Sequence, residues 1–338
     1  MSRKEKEIEC DSNKIYNPKT KRCVLKTGKI GKELLSVECK KIKINWENNS
    51  CYLDSLLVAL FHRKDKIIEE LFLNAKLHNY NNPDLKEIGE KIKEELINIY
   101  KNITSHTSCK SLRKMLNSYY KILIKKNPNK KIIDLNDNWT NKQIDVYDLF
   151  NLFKIIFDIK ENTLKIKDGS NIIYSSFNNQ IPIDLLYNEE ETKEILKISS
   201  VYPSYTLKYK LSSENKFKDA KGKLHSYFKK KVELLKGDKL FINIYRNLGD
   251  TKNNIKIIPC NSLKLKENNF KLYLTAIIIH YGSSVNNGHY ICLFKCETDN
   301  AWYEYDDMNG INYIGVLNKI IKNDEYISNI VGLIYSKI

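Results

Sequence analysis

The chain has 338 residues, 42% of them hydrophobic and 29% charged, and a formal net charge of +16. This length allows one large core with a small additional module, and the composition is ordinary for a globular protein. The longest apolar runs, such as LTAIII at 274–279, are too short to span a bilayer, and the opening MSRKEKEIEC is not a secretory signal. We therefore expect an intracellular protein with no membrane partner.

The positive charge raises the question of a nucleic-acid partner. The lysines are scattered along the chain, and short runs such as KKKVELLK at 229–236 are typical of solvated faces. The sequence carries no RNA-recognition or helix-turn-helix pattern. We therefore do not expect nucleic acid to bind, and keep a basic virion protein that binds nucleic acid as an alternative.

The eight cysteines include no CxxC pair, so the sequence predicts no zinc ribbon and no other metal site. Without an export signal, most of these thiols are expected to be reduced.

The N-terminal stretch 1–38 is polar and differs in composition from the rest. Within it, CDSNKIYNPKTKRCV at 10–24 predicts a tight turn after Asn17, between Cys10 and Cys23. The alternative is a disordered basic tail. We treat 1–38 as a separate module or tail, and 39–338 as the main domain.

The segment NNSCYLDSLLVALFH at 48–62 predicts a helix with an apolar stripe facing the core. Ser50 is a suitable N-cap, which makes Cys51 the first helical residue. A lone cysteine is usually a small buried hydrophobe. A cysteine at a helix N-terminus is also where a nucleophilic thiolate is favoured.

The region from 51 to about 158 has mainly helical patterns, including a helix that opens at Asn82-Pro83. Strand-like segments follow, among them KLFINIY at 239–245 and KLYLTAIIIHYG at 271–282. Helices first and strands later predict an α+β fold, with a helical lobe against an antiparallel sheet.

The stretch GHYICLFKCETDNAWYEYDD at 288–307 predicts a β-hairpin. If Cys296 pairs with Ala301, Asp306 is the diagonal neighbour of His289 on the same face. The carboxylate would then hold the imidazole by Nδ1–H and leave Nε2 to meet a thiol. A helix-start cysteine together with such a hairpin is the arrangement that thiol catalysis requires.

These residues also carry a resemblance. The segment around Cys51 resembles the cysteine box of the ubiquitin-specific proteases, which are papain-like peptidases, and HYGSSVNNGHYICLFK followed by WYEYDD resembles their histidine box. QIDVYDLF at 143–150 resembles their Gln-Gln-Asp box, and LFINIYRN at 240–247 resembles a strand that precedes the histidine box. The four motifs occur in family order between residues 45 and 307.

The resemblance implies a papain-like fold with a helical thumb and an antiparallel palm, and a deubiquitinase that cleaves after the terminal glycine of ubiquitin. It implies Cys51 as nucleophile, His289 as general base and acid, and Asp306 as the residue that orients the imidazole. Asp307 is a supporting candidate, and Gly288 would leave room for the substrate tail. No organic cofactor is needed.

The sequence departs from the family pattern in three places. Trp46 stands where the family usually has an oxyanion-hole asparagine, leaving Asn45, Asn48 or the N–H groups of the helix start as candidates. The zinc-binding fingers of many members are absent. The cysteine box also resembles that of a SUMO-directed relative, so a SUMO or other ubiquitin-like isopeptidase is an alternative, and a non-catalytic ubiquitin-binding scaffold is another.

Two further expectations concern partners. Ubiquitin is basic around its tail, so the acidic run Glu189, Glu190 and Glu191 is a candidate modifier-binding segment, or else a solvated helix start.

Residues 10–24 resemble a two-cysteine adaptor module found beside proteases and kinases in large DNA viruses. This implies a viral protein, located in the host cytoplasm or the virion, with a docking partner at 10–24. His280 also matches a family histidine and is interpreted as structural.

Overall fold

The structure is a computed structural model. It describes residues 10, 14–17, 19–25, 27–31, 34, 39–45, 47–63, 65–77, 82–105, 107–126, 143–159, 239–248, 251–252, 254, 256–264, 269–284 and 287–337, together with the strands within 164–234.

Most helices of the described chain precede most of its strands, as the sequence predicts, but two short helices lie just before the last strand. The helices are α1 (Cys51–Phe61), α2 (Lys66–Ile68), α3 (Pro83–Asn102), α4 (Lys110–Lys126), α5 (Val146–Ile156), α6 (Leu317–Ile321) and α7 (Asp324–Asn329), with a π-helical turn, Glu69–Leu73, after α2. The predicted start of α3 is where the structure has it. The Asn82 side chain caps this helix by accepting a hydrogen bond from the Asp84 N–H at 3.0 Å.

The described strands are short in the first part of the chain and long in the last. They are β1 (Lys14–Asn17), β2 (Arg22–Leu25), β3 (Ile44–Asn45), β4 (Thr107–Ser108), β5 (Leu164–Asp168), β6 (Asn171–Ser175), β7 (Gln180–Pro182), β8 (Ile195–Lys197), β9 (Ser204–Lys210), β10 (Phe217–Lys218), β11 (Leu224–His225), β12 (Tyr227–Leu234), β13 (Lys239–Tyr245), β14 (Asn247–Leu248), β15 (Thr251–Lys252), β16 (Lys256–Ile258), β17 (Ser262–Leu263), β18 (Leu272–Ser284), β19 (Asn287–Lys295), β20 (Trp302–Asp306), β21 (Gly310–Gly315) and β22 (Ile330–Ser336).

The main sheet separates two hydrophobic cores. Its strand order is β21-β20-β19-β18-β22-β13-β7, with β17 beside β18, and its described pairs are antiparallel except β7 with β13. Residues of β19 alternate between the cores: Tyr290 and Cys292 pack with the helices, whereas Ile291 and Leu293 pack on the opposite face with α6 and α7. Such a mixed helix and antiparallel-sheet architecture is the predicted α+β class.

Helix α1 is more deeply buried than its sequence predicts. The pattern predicts one apolar stripe, but all eleven residues from Cys51 to Phe61 are buried, including Asp54 and Ser55. The helix packs on β18, β19 and β20 and also contacts α5. A helix enclosed on every side has no solvated face, so its polar residues must find partners inside the protein.

The hairpin register is the predicted one. Cys292 pairs with Tyr305 and Lys295 with Trp302, and the Cys296 N–H donates to the Ala301 carbonyl at 2.8 Å. The short loop between the strands fixes this pairing.

The expectation that most thiols are reduced differs from the structure. Disulfides join Cys10 to Cys23 and Cys39 to Cys296, while Cys51, Cys109, Cys260 and Cys292 form no disulfide. The first bridge lies at the predicted turn, where β1 and β2 form an antiparallel hairpin. The second joins residues 257 positions apart, a proximity that only the tertiary fold creates. The adaptor role of 10–24 stays a prediction.

Two features of the strands were not anticipated. The segment that forms β22 was not predicted as a strand, yet β22 lies inside the main sheet between β18 and β13. Four of the described strands between residues 164 and 234 form a second sheet, in the order β6-β5-β12-β9. Among the described residues, no helix has the length and apolar character needed to cross a membrane.

Candidate active site

The chain turns sharply into α1 just before Cys51. Asn48 and Asn49 have φ angles of 42° and 61°, in the left-handed region that asparagine tolerates better than most residues. Arg113 of α4 holds this turn, because its Nη1 donates to the carbonyl of Glu47 at 2.9 Å and to that of Asn48 at 2.7 Å. These hydrogen bonds fix the loop that precedes Cys51, and Cys51 lies in the first turn of a buried helix.

Ser50 precedes the helix as predicted but caps it differently. Its side chain makes no capping hydrogen bond to the helix backbone. Instead, Oγ donates to Asp54 Oδ2 at 2.5 Å and accepts from the Glu47 N–H at 2.9 Å. The Cys51 N–H is still at a helix start, where geometry provides no intrahelical acceptor.

Three predicted site residues lie together. The Cys51 thiol is close enough to the His289 imidazole to raise its pKa, and His289 Nε2 lies 2.9 Å from Asp306 Oδ1. The predicted assignment of the ring nitrogens is wrong. Asp306 is hydrogen-bonded to Nε2, so Nδ1 is the nitrogen left for the thiol.

The electrostatics of His289 favour the imidazolium. Its hydrogen bond to Cys51 raises the pKa most, burial opposes this, and Asp306 raises it further, for a pKa of about 9. Burial alone would raise the pKa of Asp306. The hydrogen bonds from the Met308 N–H at 2.9 Å, from Asn309 Nδ2 at 2.6 Å and from His289 outweigh burial and lower it.

Asp307 also reaches the imidazole. Its Oδ1 lies 3.6 Å from His289 Nε2, beyond hydrogen-bond distance, and its side chain is fully buried. Burial raises the pKa of Asp307 to about 6, although the neighbouring His289 charge lowers it. The donor atoms of His289, Asp306 and Asp307 lie within 4.8 Å of one another. A metal ion here would have to displace the proton that His289 Nε2 shares with Asp306 Oδ1, so we assign these atoms to that hydrogen bond.

Gln143 is a site residue that sequence reasoning missed. Its Nε2 lies 3.5 Å from Cys51 Sγ and donates to the Gly288 carbonyl at 2.9 Å. It opens the QIDVYDLF segment, whose Asp145 caps α5 by accepting from the Tyr147 N–H at 2.7 Å. The resemblance of this segment to the Gln-Gln-Asp box was the signal that could have identified it.

The oxyanion role expected of Asn45 or Asn48 stays a prediction. Asn45 and Asn48 are exposed, and the side-chain amide that the structure brings to Sγ belongs to Gln143. The acidic run Glu189, Glu190 and Glu191 falls outside the described residues.

Gly288 and His280 have tight structural surroundings. A Cβ at position 288 would lie 1.8 Å from the Tyr281 carbonyl oxygen and 2.7 Å from His280 Nε2, so close strand approach requires glycine there. His280 is buried and stacks on Tyr290 with ring centroids 4.2 Å apart. Burial, with smaller effects of Lys252 and His289, lowers the pKa of His280 to about 3, so this ring is neutral.

Comparison with known proteins places this geometry in a family context. Residues 43–312 match the family described as ubiquitin carboxyl-terminal hydrolase. A protein of Arabidopsis thaliana, ubiquitin carboxyl-terminal hydrolase 26, is 44% identical over 41 residues, which cover 12% of this chain and 4% of that protein. A protein of the same name from Oryza sativa subsp. japonica is 50% identical over 34 residues, 10% of this chain and 3% of that protein. The matched stretches are thus a small part of both relatives.

The raised pKa of His289 is directly testable. We expect NMR titration to give His289 a pKa of about 9 and His280, as an internal control, a pKa of about 3. The stabilising effect of His289 should be complete below its unfolded pKa of about 6.5 and be lost as the pH rises through the folded value.

Cys51→Ala should lower the pKa of His289, since the thiol contact raises it most. An unchanged His289 pKa in that variant would contradict the contact.

Proposed function

The chain belongs to the ubiquitin carboxyl-terminal hydrolase family, and on that premise we propose that it is a thiol-dependent deubiquitinase that hydrolyses the bond after the C-terminal glycine of ubiquitin in conjugates. One observation carries the proposal: the Cys51 thiol, at the first turn of α1, lies beside an imidazole whose pKa it raises and which Asp306 holds at 2.9 Å. A thiol, a base in contact with it and a carboxylate behind the base form the arrangement that activates a nucleophile.

In the first half of the proposed reaction, the thiolate of Cys51 attacks the glycine carbonyl. Its neighbour, the His289 imidazolium, stabilises the thiolate and holds the proton that the departing amine needs. As the carbon–nitrogen bond breaks, Nδ1 gives this proton to the amine, and a thioester remains on Cys51. Asp306 keeps the ring oriented through Nε2.

In the second half, the neutral imidazole takes a proton from water, and the resulting hydroxide attacks the thioester. The carbon–sulfur bond breaks, ubiquitin leaves as the carboxylic acid and loses its proton to solvent, and the thiolate and imidazolium are restored. We infer that Gln143 Nε2 and the Cys51 N–H stabilise the oxyanion in both halves. The support is the 3.5 Å separation of Nε2 from Sγ, since the oxyanion forms on the carbon bonded to Sγ.

A SUMO or other ubiquitin-like isopeptidase is the second candidate, because part of the cysteine box resembles a SUMO-directed relative. A scaffold without activity would need a broken catalytic arrangement, whereas Cys51, His289 and Asp306 lie in mutual contact through the imidazole. The viral origin, the host-cell or virion location and the docking partner at 10–24 remain predictions.

Loss of the thiol tests the proposed reaction. We expect Cys51→Ala to abolish both cleavage of a fluorogenic ubiquitin substrate and labelling by ubiquitin that carries a C-terminal electrophile. Cys292→Ala is the matched control, because Cys292 is also buried and forms no disulfide. Full labelling of Cys51→Ala would refute the assignment.

Asp306→Asn should lower kcat by about 10²-fold or more, as expected when a catalytic histidine loses its orienting carboxylate.

Removal of the Gln143 amide tests the proposed oxyanion hole. We expect Gln143→Ala to lower kcat by about 10²-fold, with a smaller change in KM, because an oxyanion donor acts mainly in the transition state. Gln143→Glu should be at least as defective, since its carboxylate cannot donate and would oppose the developing negative charge. Asn45→Ala is the control, because Asn45 is an exposed side-chain amide, and its kcat should stay near normal. A normal kcat in Gln143→Ala would exclude this role.

The modifier can be identified with paired probes. We expect the wild-type protein to react with a ubiquitin probe faster than with a SUMO probe, since more of the sequence resembles the ubiquitin-directed branch. Replacement of Glu189, Glu190 and Glu191 by lysine should raise KM for ubiquitin with little change in kcat, more strongly at low salt. Reaction with SUMO alone would overturn the preference for ubiquitin and leave the cysteine mechanism intact.

A further inference from the structure

Two aspartates face each other beneath the active site. Asp54 lies on α1, three residues after Cys51, and Asp307 follows β20, next to the orienting residue Asp306. The Asp54 side chain is 0% exposed, as is that of Asp307. Helix α1 packs on β20, and each of the two carboxyl groups affects the pKa of the other.

The hydrogen bonds of this pair are incomplete if both groups are ionised. Asp54 Oδ2 accepts from Ser50 Oγ at 2.5 Å. Asp54 Oδ1 and both oxygens of Asp307 have no hydrogen-bond donor among the nitrogen and oxygen atoms of the described residues. Two buried carboxylates without donors would repel each other and lose their hydration. One proton between them removes the repulsion and supplies the missing hydrogen bond.

We propose that Asp54 is protonated and donates a hydrogen bond to the Asp307 carboxylate. Asp54 is thus a positioning residue that keeps the negative charge of Asp307 beside His289. The proposal rests on the proposed function, in which His289 is the general base and acid. Asp54 does not touch the reacting atoms in this scheme. It acts through Asp307, whose Oδ1 is 3.6 Å from His289 Nε2.

The surroundings determine which group keeps the proton. Burial raises the pKa of Asp54 well above its usual value, and Asp307 raises it further, against the opposing hydrogen bond from Ser50. Asp307 has a pKa of about 6, since burial raises it and the charge of His289 lowers it. The proton is therefore held by Asp54, and the negative charge lies on Asp307, the member that faces the imidazole.

The other titratable groups near the pair do not compete for this proton. The Cys109 thiol, hydrogen-bonded to Asp54, is buried, and burial raises its pKa well above the usual value, so it stays neutral. The Tyr305 phenol is neutral for the same reason and donates to the Ile44 carbonyl at 3.1 Å. The phenol of Tyr52 accepts from Arg113 Nε at 3.0 Å, and burial raises its pKa to about 12. His289 is the positive neighbour of Asp307.

This pair offers variants of matched shape. In Asp54→Asn the side-chain oxygen can still accept from Ser50 and the amide can donate to Asp307, so the variant reproduces the protonated aspartate. Asp54→Leu has a similar size and no donor. Asp307→Asn keeps one carboxylate in the pair but moves the negative charge away from His289. All three variants keep Cys51, His289 and Asp306.

The kinetic test compares these variants with ubiquitin cleavage. We expect Asp54→Leu and Asp307→Asn to lower kcat by at least about tenfold with KM changed less than about twofold, because Asp307 acts on the imidazole rather than on substrate binding. Asp54→Asn should restore most of the kcat that Asp54→Leu loses. Equal kcat values for Asp54→Leu and Asp54→Asn, or for Asp307→Asn and Asp54→Asn, would overturn the proposal.

A spectroscopic test decides the protonation state without any activity. At neutral pH, the infrared difference spectrum between the wild-type protein and Asp54→Asn should show the carbonyl stretch of one protonated carboxylic acid. The control is Glu87→Gln, which removes an exposed carboxylate, and its difference spectrum should lack this band. The absence of the protonated band would overturn the proposal even if the enzyme is active. A band in a protein that cleaves no ubiquitin would keep the proton assignment and refute the proposed function instead.

Discussion

The active-site arrangement depends on the complete burial of α1. This helix is enclosed by β18, β19, β20 and α5. Its first residue, Cys51, therefore lies near the start of β19, where the imidazole of His289 is. The same burial leaves Asp54 without water. A helix with one solvated face could have shifted along the sheet, but a helix packed on every side has one stable position. The contact between thiol and imidazole is therefore a consequence of core packing.

Three aspartates around one helix start and one hairpin show how environment separates identical side chains. Asp306 receives several hydrogen bonds and has a lowered pKa, whereas Asp307 has few partners and a pKa of about 6. Asp54 is the most deeply buried of the three and has the most strongly raised pKa. The chain as a whole carries +16, yet the charge that matters to His289 is set by these local contacts.

Local patterns predicted the elements that local interactions form. The helix at Cys51 follows from its apolar pattern. The start of α3 follows from the Asn82 cap, and the register of the hairpin follows from a short loop. The contact of Gln143 with a thiol 92 positions away follows from tertiary packing, for which the sequence contains no short-range signal. The choice between Nε2 and Nδ1 depends on the rotation of one ring, and the burial of every face of α1 depends on neighbours that are distant in sequence.

The disulfide between Cys39 and Cys296 encloses both halves of the active site. Cys51 and His289 lie inside the loop that this bridge closes across 257 positions. A protease that cuts an exposed connection inside this loop would therefore produce two fragments that stay joined in one molecule. Such a nicked protein would run as a single species until it is reduced, and its thiol and imidazole would stay tethered to each other.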